Sequence, residues 1–351
     1  MASSIISRRK FARYLGIAAA AGALGTLTAC SGANGSTDGA AAQDTQTDWL
    51  NQDPVTSTLF LFDTVVNLKA YCPQELMDKA AERCSYFEQK FSRTVEGSDV
   101  YNINHASGSP VEVCAETAEL ISKSLEFCEQ SGGLFDITIG AVSSLWDFVE
   151  GVKPADADVK EAVKHIDYRG VSVDGTTVTL ADPAAMLDLG GTAKGYIADD
   201  LKRLFNEGGC TCGVIDLGGN VLVLGTKPDG SEWNIGVRDP NGTENDVIAS
   251  VKGADVSVVT SGLYEREFTS GGKTYYHILD PKTGYPAKSD LVSSSVIGAS
   301  SLECDAYATW LFLLGHDAAL ELLEKTDGLE GLVVDPKDKV TQTSAGLFEL
   351  R

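Results

Sequence analysis

Asp188-Leu189-Gly190-Gly191-Thr192-Ala193-Lys194-Gly195-Tyr196 reads as two glycines leaving a strand, followed by the free amides of a helix start. Such a turn lets backbone pass close to a ligand, and the unpaired N–H groups suit a phosphate or another anion. The GxxxxGK(S/T) spacing of a P-loop is absent, and no GxGxxG occurs anywhere. From Ala193 the pattern is helical to Asn206, with Ile197, Leu201 and Phe205 inward and Gly208-Gly209 ending the helix. Asp216-Leu217-Gly218-Gly219-Asn220 repeats the Asp-Leu-Gly-Gly pattern, again at a strand end, so two such loops could face one ligand. Each alone is better explained as a tight turn.

Working outward, residues 58–71 (TLFLFDTVVNLKAY) are dense in β-branched and aromatic types and read as a strand. Pro73 opens a helix to about Lys90, with Leu76, Ala80, Cys84, Phe87 and Phe91 on one stripe. A second amphipathic helix spans Ala115 to Gln130, and residues 134–148 (LFDITIGAVSSLWDF) read as half strand, half helix. A short polar helix and two small strands fill residues 153–182, and Val214 to Phe268 is strand-rich. Ser300 to Lys325 is helical in two pieces around Gly315-His316, and Val333, Val334, Val340 and Phe348 mark closing strands. Strands and isolated helices without a βαβ rhythm point to an α+β fold, not a doubly wound sheet.

The chain has 351 residues, of which 43% are apolar and 22% charged, enough for a sizeable core. Acids outnumber bases 50 to 28, for a net charge of −22, which excludes a nucleic-acid binder. Arg8-Arg9 precede an uncharged apolar run from Tyr14 to Ala29, shorter than the ~20 residues of a membrane span. Residues 1–29 therefore read as an export signal of twin-arginine type. Leu27-Thr28-Ala29-Cys30 resembles a bacterial lipobox, which makes Cys30 the lipidated residue and places the protein outside the cytoplasm, anchored to the membrane. Residues 30–53 are small, polar and aperiodic, as a flexible tether is, and 54–351 form the folded domain. Cys72, Cys84, Cys114, Cys128, Cys210, Cys212 and Cys304 remain. No histidine or second close pair completes a zinc site around Cys210-Thr211-Cys212, so these read as core or bridge residues.

Asp305 and Thr309 stand one turn apart on a helix, where carboxylate and hydroxyl share a face and can both ligate a hard cation. The apolar surroundings (TWLFLLG) sharpen that reading, because an unpaired aspartate there is unfavourable. His277 lies in Tyr275-Tyr276-His277-Ile278-Leu279-Asp280-Pro281, near Thr260-Ser261-Gly262. Ser261, His277 and Asp280 do not read as a hydrolase triad, because Ser261 lacks the G-x-S-x-G elbow.

In order along the chain, FDTVVNLKAY, FSRTVEGSDVYNIN, GGLFDITIGAVSSLW, LDLGGTAKGYIAD, IDLGGN, WNIGVRDP, TSGLYEREF, HILDPKTGYP and DAYAT resemble the ApbE family, the FAD:protein FMN transferases. The resemblance runs from Thr58 to Leu350 and implies an ApbE-like fold: mixed or antiparallel sheets, flanking helices and an active site in a cleft between two subdomains. It implies FAD as substrate and Mg²⁺ as cofactor, with FMN passed to a Thr hydroxyl of an acceptor protein and AMP released. The metal ligands it implies are the Ala193 carbonyl, Asp305 and Thr309. The implied FAD contacts are Phe62, Thr94, Leu134, Phe135, Asp136, Lys194, Thr260, Ser261 and Gly262, with His277 catalytic. Three positions depart from the family pattern: Phe62 stands where Met is usual, Thr94 where an aromatic is common, and Ala141 for a frequent Pro. Acceptors carry a Thr near Asp-Gly-x-Ser/Thr-Gly-Ala-Thr; Ser31-Gly32-Ala33-Asn34 lacks it, so the chain is not its own acceptor. The alternatives are a Mg²⁺-dependent FAD pyrophosphatase, in which water replaces the acceptor, and a flavin-binding lipoprotein without catalysis.

Overall fold

The computed structural model describes residues 49–243 and 245–351. The export signal, Cys30 and most of the expected tether lie outside the described residues. Residues 58–71 do not form one strand. They belong to a hairpin, β1 (Val55–Leu61) and β2 (Thr64–Ala70), turned by Phe62 and Asp63 at φ 55° and 56°. Two consecutive residues with positive φ match the right-handed twist of the flanking strands, and a continuous β-rich run hides such a turn when it lacks glycine. The helix α1 (Gln74–Phe91) follows, then α2 (Ala115–Gln130) and α3 (Ala193–Glu207), each close to its expected bounds.

Beyond α3 come β3 (Gly213–Leu217), β4 (Asn220–Leu224), β5 (Ser257–Gly262) and β6 (Ser293–Gly298). They are followed by α4 (Ser301–Leu314), α5 (His316–Glu324), β7 (Glu330–Val334) and β8 (Val340–Gln342). Gly315, at φ 83°, divides α4 from α5 as the sequence suggested. β1 to β8 form one eight-stranded sheet, antiparallel throughout, with spatial order equal to chain order. A smaller antiparallel sheet of residues 233–238, 247–253 and 349–350 lies apart from it in pairing. The fold is α+β.

The central strands are buried on both faces. Leu222 and Leu224 join Phe87, Leu201, Phe205 and Phe312 in the helix-side core, while Val223 between them packs with Ile235, Val237 and Val251 of the smaller sheet. This two-residue alternation explains runs that read as continuously apolar. Each large side chain so buried stabilises by about 1.5–3 kcal/mol. Residues 134–148 supply no strand: Ile139 makes an isolated bridge to Met186, and only Gly140–Ser143 is helical. The glycines at 190 and 191 likewise follow that bridge and not a strand.

Two helix starts cap each other across the α3–α4 contact. Asp199 of α3 accepts the backbone amides of Ser301 (2.9 Å) and Leu302 (3.0 Å) at the start of α4. Asp305 of α4 accepts the amide of Gly195 (2.9 Å) at the start of α3. Each carboxylate thus satisfies orphan N–H groups at a positive helix end. Gly195 makes the approach feasible, since a Cβ there would sit 2.3 Å from the Ser301 carbonyl oxygen.

Candidate functional site

Asp305 is 2% exposed. One oxygen takes the Gly195 amide and the other faces Lys194 Nζ at 3.2 Å. One turn on, Thr309 Oγ1 lies 3.4 Å from Ser261 Oγ at the end of β5. A Cβ on Gly191 would stand 3.5 Å from Thr309 Oγ1 and 2.8 Å from the Phe135 ring. Gly191, Lys194, Ser261, Asp305, Thr309 and Phe135 are therefore neighbours, and the shared face expected for Asp305 and Thr309 is turned toward the glycine loop.

The loop itself is held by charge. Asp188 accepts from the Ser143 hydroxyl (2.6 Å) and the Gly190 amide (3.0 Å) and pairs with Arg93 Nε (3.2 Å). Burial alone would raise its carboxyl, but the Arg93 charge and these hydrogen bonds hold it below the ordinary range.

A hairpin of Glu267–Ser270 and Lys273–Tyr276 carries the second half of the site. Arg266 and His277 stand at its base, where His277 N–H donates to the Arg266 carbonyl (3.1 Å). Arg266 Nη2 reaches back to the Phe62 carbonyl (3.1 Å), and Glu88 Oε1 accepts the Phe62 amide (2.9 Å). Both polar groups of a residue with the unusual φ of 55° are thus fixed from outside its own hairpin. His277 Nδ1 is buried without a hydrogen-bond partner, and Nε2 lies 3.8 Å from Glu265 Oε2.

These two side chains keep under a third of their surface open, 29% and 30%, yet lie deep among protein atoms. Burial, with the charges of Arg266 and Lys194, pushes His277 down to about 3. Burial also raises Glu265 to about 7, against the pull of Lys194 and Arg266 and with the repulsion of Asp305. A neutral imidazole beside a half-protonated carboxyl, facing fixed cations, can relay a proton next to an anionic ligand.

Other expected contacts stand differently. The Asp136 carboxylate is taken up by Thr138 (amide 2.8 Å, hydroxyl 2.6 Å) and the Tyr168 amide (3.1 Å), so it organises its loop. Phe135 reaches the glycine loop, while Leu134 packs against the core. Strand alternation puts the Thr260 hydroxyl on Ser295 Oγ (2.7 Å), on the face of β5 opposite Ser261. Thr94 is exposed beside Arg93, its amide bonded to Ser92 Oγ (3.2 Å). Gly262 ends β5 opposite Ser293, and Ala193 opens α3. Sequence reasoning did not single out Arg93, Glu265 or Arg266, though all three lie inside stretches that carried the resemblance, FSRTVEG and TSGLYEREF.

Oxygen donors of this kind suit a hard cation. Among the described residues no group of three or more His, Cys, Asp or Glu could hold a metal. One carboxylate, one hydroxyl and a backbone carbonyl fit Mg²⁺, which keeps waters and shares substrate phosphates instead of filling an all-protein cage.

The chain matches the ApbE family over residues 62–333. The FAD:protein FMN transferase of Treponema pallidum (strain Nichols) is 38% identical over 280 residues, covering 75% of this chain and 77% of that protein. A transferase of the same name from Klebsiella pneumoniae (strain 342) is 34% identical over 280 residues, covering 78% and 87%. Among solved structures, the ApbE protein of Thermotoga maritima superposes with a TM-score of 0.77 at 31% identity, over 84% of this chain and 98% of that one.

Proposed function

This chain belongs to the ApbE family, and on that premise we propose that it is an FAD:protein FMN transferase whose acceptor group is a Thr hydroxyl. FAD is the substrate and a protein the acceptor. The observation that carries the finer reading is the buried Asp305 carboxylate meeting Lys194 and the Gly195 amide, beside Thr309 and the glycine loop. That arrangement offers an anion both positive groups and oxygen donors for a cation.

In the proposed reaction the Thr oxygen bonds to the FMN phosphorus, the bond to the AMP phosphate breaks, and AMP leaves with the bridging oxygen. Asp305, Thr309 and the Ala193 carbonyl would hold Mg²⁺. When bound, it supplies positive charge to the diphosphate without proton transfer. Lys194 binds a phosphate oxygen, while the amides of Ala193, Gly195 and Tyr196 are taken by the Leu189 carbonyl, Asp305 and the Thr192 carbonyl. Phe62, Thr94, Leu134, Phe135, Ser261 and Gly262 are the other FAD contacts in this reading, with Ser261 at the Thr309 end of the site. Asp136 acts through the Thr138 and Tyr168 amides it holds, and Thr260 through its own backbone, since its hydroxyl is engaged by Ser295.

His277 accepts the Thr proton. Free of substrate it is held neutral by burial and by Arg266 and Lys194. A diphosphate placed against those two cations offsets their charge and so raises the basicity of His277, against the larger effect of burial, which remains. The export signal and Leu27-Thr28-Ala29-Cys30 support the further proposal that the enzyme works outside the cytoplasm on a lipid anchor at Cys30. Loss of the membrane-bound fraction in Cys30→Ala tests the anchor.

The function is tested by mixing purified protein, FAD, Mg²⁺ and a domain bearing the Thr motif. Covalent FMN on the acceptor, read by mass, is the expected result. Free FMN with AMP would make the protein a pyrophosphatase, and unaltered FAD would make it a binder.

A further inference from the structure

Seven cysteines lie among the described residues, all free, and two of them meet. The ladder of β2 and β3 pairs Ala70 with Gly213 and continues one step beyond the strands, where the Tyr71 amide donates to the Cys212 carbonyl (2.9 Å). Just past that bond, Cys72 and Cys210 line one small, partly open cavity of about 60 Å³ with Trp49, Tyr71, Pro73, Gly208 and Gly209. Both side chains are buried, 2% exposed each, and Cys210 Sγ lies 3.5 Å from the Cys212 carbonyl.

We propose that Cys72 and Cys210 are a disulfide-forming pair, oxidised by exchange with a dissolved organic disulfide, which staples the end of β2 to the chain leaving α3. The ladder register carries residues 72 and 210 to the same end of the β2–β3 pair, and both line one cavity, which brings the two side chains into the proximity a disulfide requires. Cys210 is the attacking group, because the neighbouring Cys72 thiol lowers it while Cys72 itself is raised. Burial pushes Cys84 and Cys128 up to about 12, which keeps them inert.

The exchange balances in two steps. The Cys210 thiolate attacks one sulfur of the incoming disulfide, forming a mixed disulfide and expelling one thiolate, which takes a proton. Cys72, losing its proton to solvent, then attacks Cys210 Sγ and expels the second thiolate. Two protein thiols are oxidised while one disulfide is reduced to two thiols. The crosslink closes a long loop spanning α1, α2 and α3, the kind whose closure restricts the unfolded chain most. It leaves Lys194 and Asp305, at the other end of α3, untouched. Flavin transfer is expected in both redox states, so this inference stands or falls apart from the proposed function.

The test treats the full chain with glutathione disulfide near neutral pH, quenches with acid and maps the alkylated, non-reduced peptides. The expected result is loss of two thiols, a linked peptide pair containing Cys72 and Cys210, and a melting temperature higher by roughly 5 °C. In Cys72→Ser the reaction should stop at one glutathione on Cys210. A Cys210–Cys212 linkage, a lasting glutathione adduct on the wild type, or no thiol loss would each overturn the proposal. The wild-type map decides even if the variant does not fold.

Discussion

The tetrapeptide Asp-Leu-Gly-Gly occurs twice, at 188–191 and at 216–219, and the two copies do opposite things. In the first, both glycines avoid positive φ, and the chain turns directly into the start of α3. In the second, Gly218 and Gly219 have φ of 65° and 91°, and the chain doubles back as a hairpin from β3 to β4. The first copy needs glycine for space, the second for handedness as well. Their aspartates differ too. Asp188 pairs with Arg93 and is held below the ordinary carboxylate range, whereas burial raises Asp216, whose Oδ1 takes the Gly219 amide (3.2 Å). Identical local sequence acquires a site in one place and a turn in the other because the downstream residues differ: Thr-Ala-Lys-Gly-Tyr can start a helix, and Asn-Val-Leu-Val-Leu extends a strand.

The largest separation between the copies is expected at the helix start that the first one serves. Asp305→Ala removes the partner of Lys194 and Gly195, and the transfer rate should fall by roughly 10³-fold. Asp216→Ala should leave it within about 10-fold. Because Asp305 also caps α3, melting temperatures must accompany the rates. Asp305→Asn keeps an acceptor for the Gly195 amide, so it should recover stability but not activity. Full activity in Asp305→Asn would detach the site from the first loop.

Next in size are the glycines. An alanine at 218 would carry positive φ and put its Cβ 2.1 Å from Thr64 Oγ1. Chemical denaturation should show a loss of about 2–4 kcal/mol. At 191 only the edge of the Phe135 ring obstructs, at 2.8 Å, and a loss of about 1 kcal/mol is expected. The order should invert for activity, with Gly191→Ala the more harmful. Equal effects on both measurements would show that the first loop is a turn like the second.

The aspartates should differ in sign. Asp188 is depressed below its unfolded value of 3.8, so its contribution is present above that pH and is lost as pH falls through the folded value. Asp188→Asn should therefore destabilise at pH 7, by about 1–2 kcal/mol as a charged hydrogen-bond partner is lost. Asp216 is raised, so whatever its protonated form contributes is lost as pH rises through the folded value. Asp216→Asn should be neutral or slightly stabilising at pH 7.

This contrast also marks what the sequence could carry. Helices with wide apolar stripes, α1, α2 and α3, were legible because periodicity alone sets their buried face. The break between α4 and α5 was legible because Gly315 sits where only glycine is comfortable. The hairpin at Phe62-Asp63 was not, since Phe62 is an unusual choice for positive φ and no glycine marks the turn; Glu88 and Arg266, remote in sequence, hold it. Asp305 and Thr309 were singled out by helical spacing; Ala193 and Lys194 lay in the loop motif, and their roles came only with the resemblance. The reciprocal caps between Asp199 and α4 and between Asp305 and α3 depend on how two helices cross at Gly195, which no local pattern encodes. Glu265 and Arg266 escaped for the same reason: in a strand-rich stretch an isolated Glu-Arg pair reads as solvated surface until the hairpin brings it to His277.

The smallest expected effect concerns that pair. Glu265 is raised from 4.5 to about 7, and His277 is lowered from 6.5 to about 3, both chiefly by burial. The folded state thus favours the protonated carboxyl and the neutral imidazole. The Glu265 contribution is complete below pH 4.5 and is lost as pH rises through 7; that of His277 is complete above 6.5 and is lost as pH falls through 3. Glu265→Gln keeps the neutral shape and removes the first loss. Its melting temperature should match the wild type at pH 5 and exceed it by a degree or two (about 0.5–1 kcal/mol) at pH 8. The Asp188 pair, held by Arg93, should show no such alkaline gain when neutralised. A Glu265→Gln variant less stable than wild type at pH 8 would mean that Arg266 and Lys194 outweigh burial, and that the hairpin half of the site is built on ion pairs as the first Asp-Leu-Gly-Gly loop is.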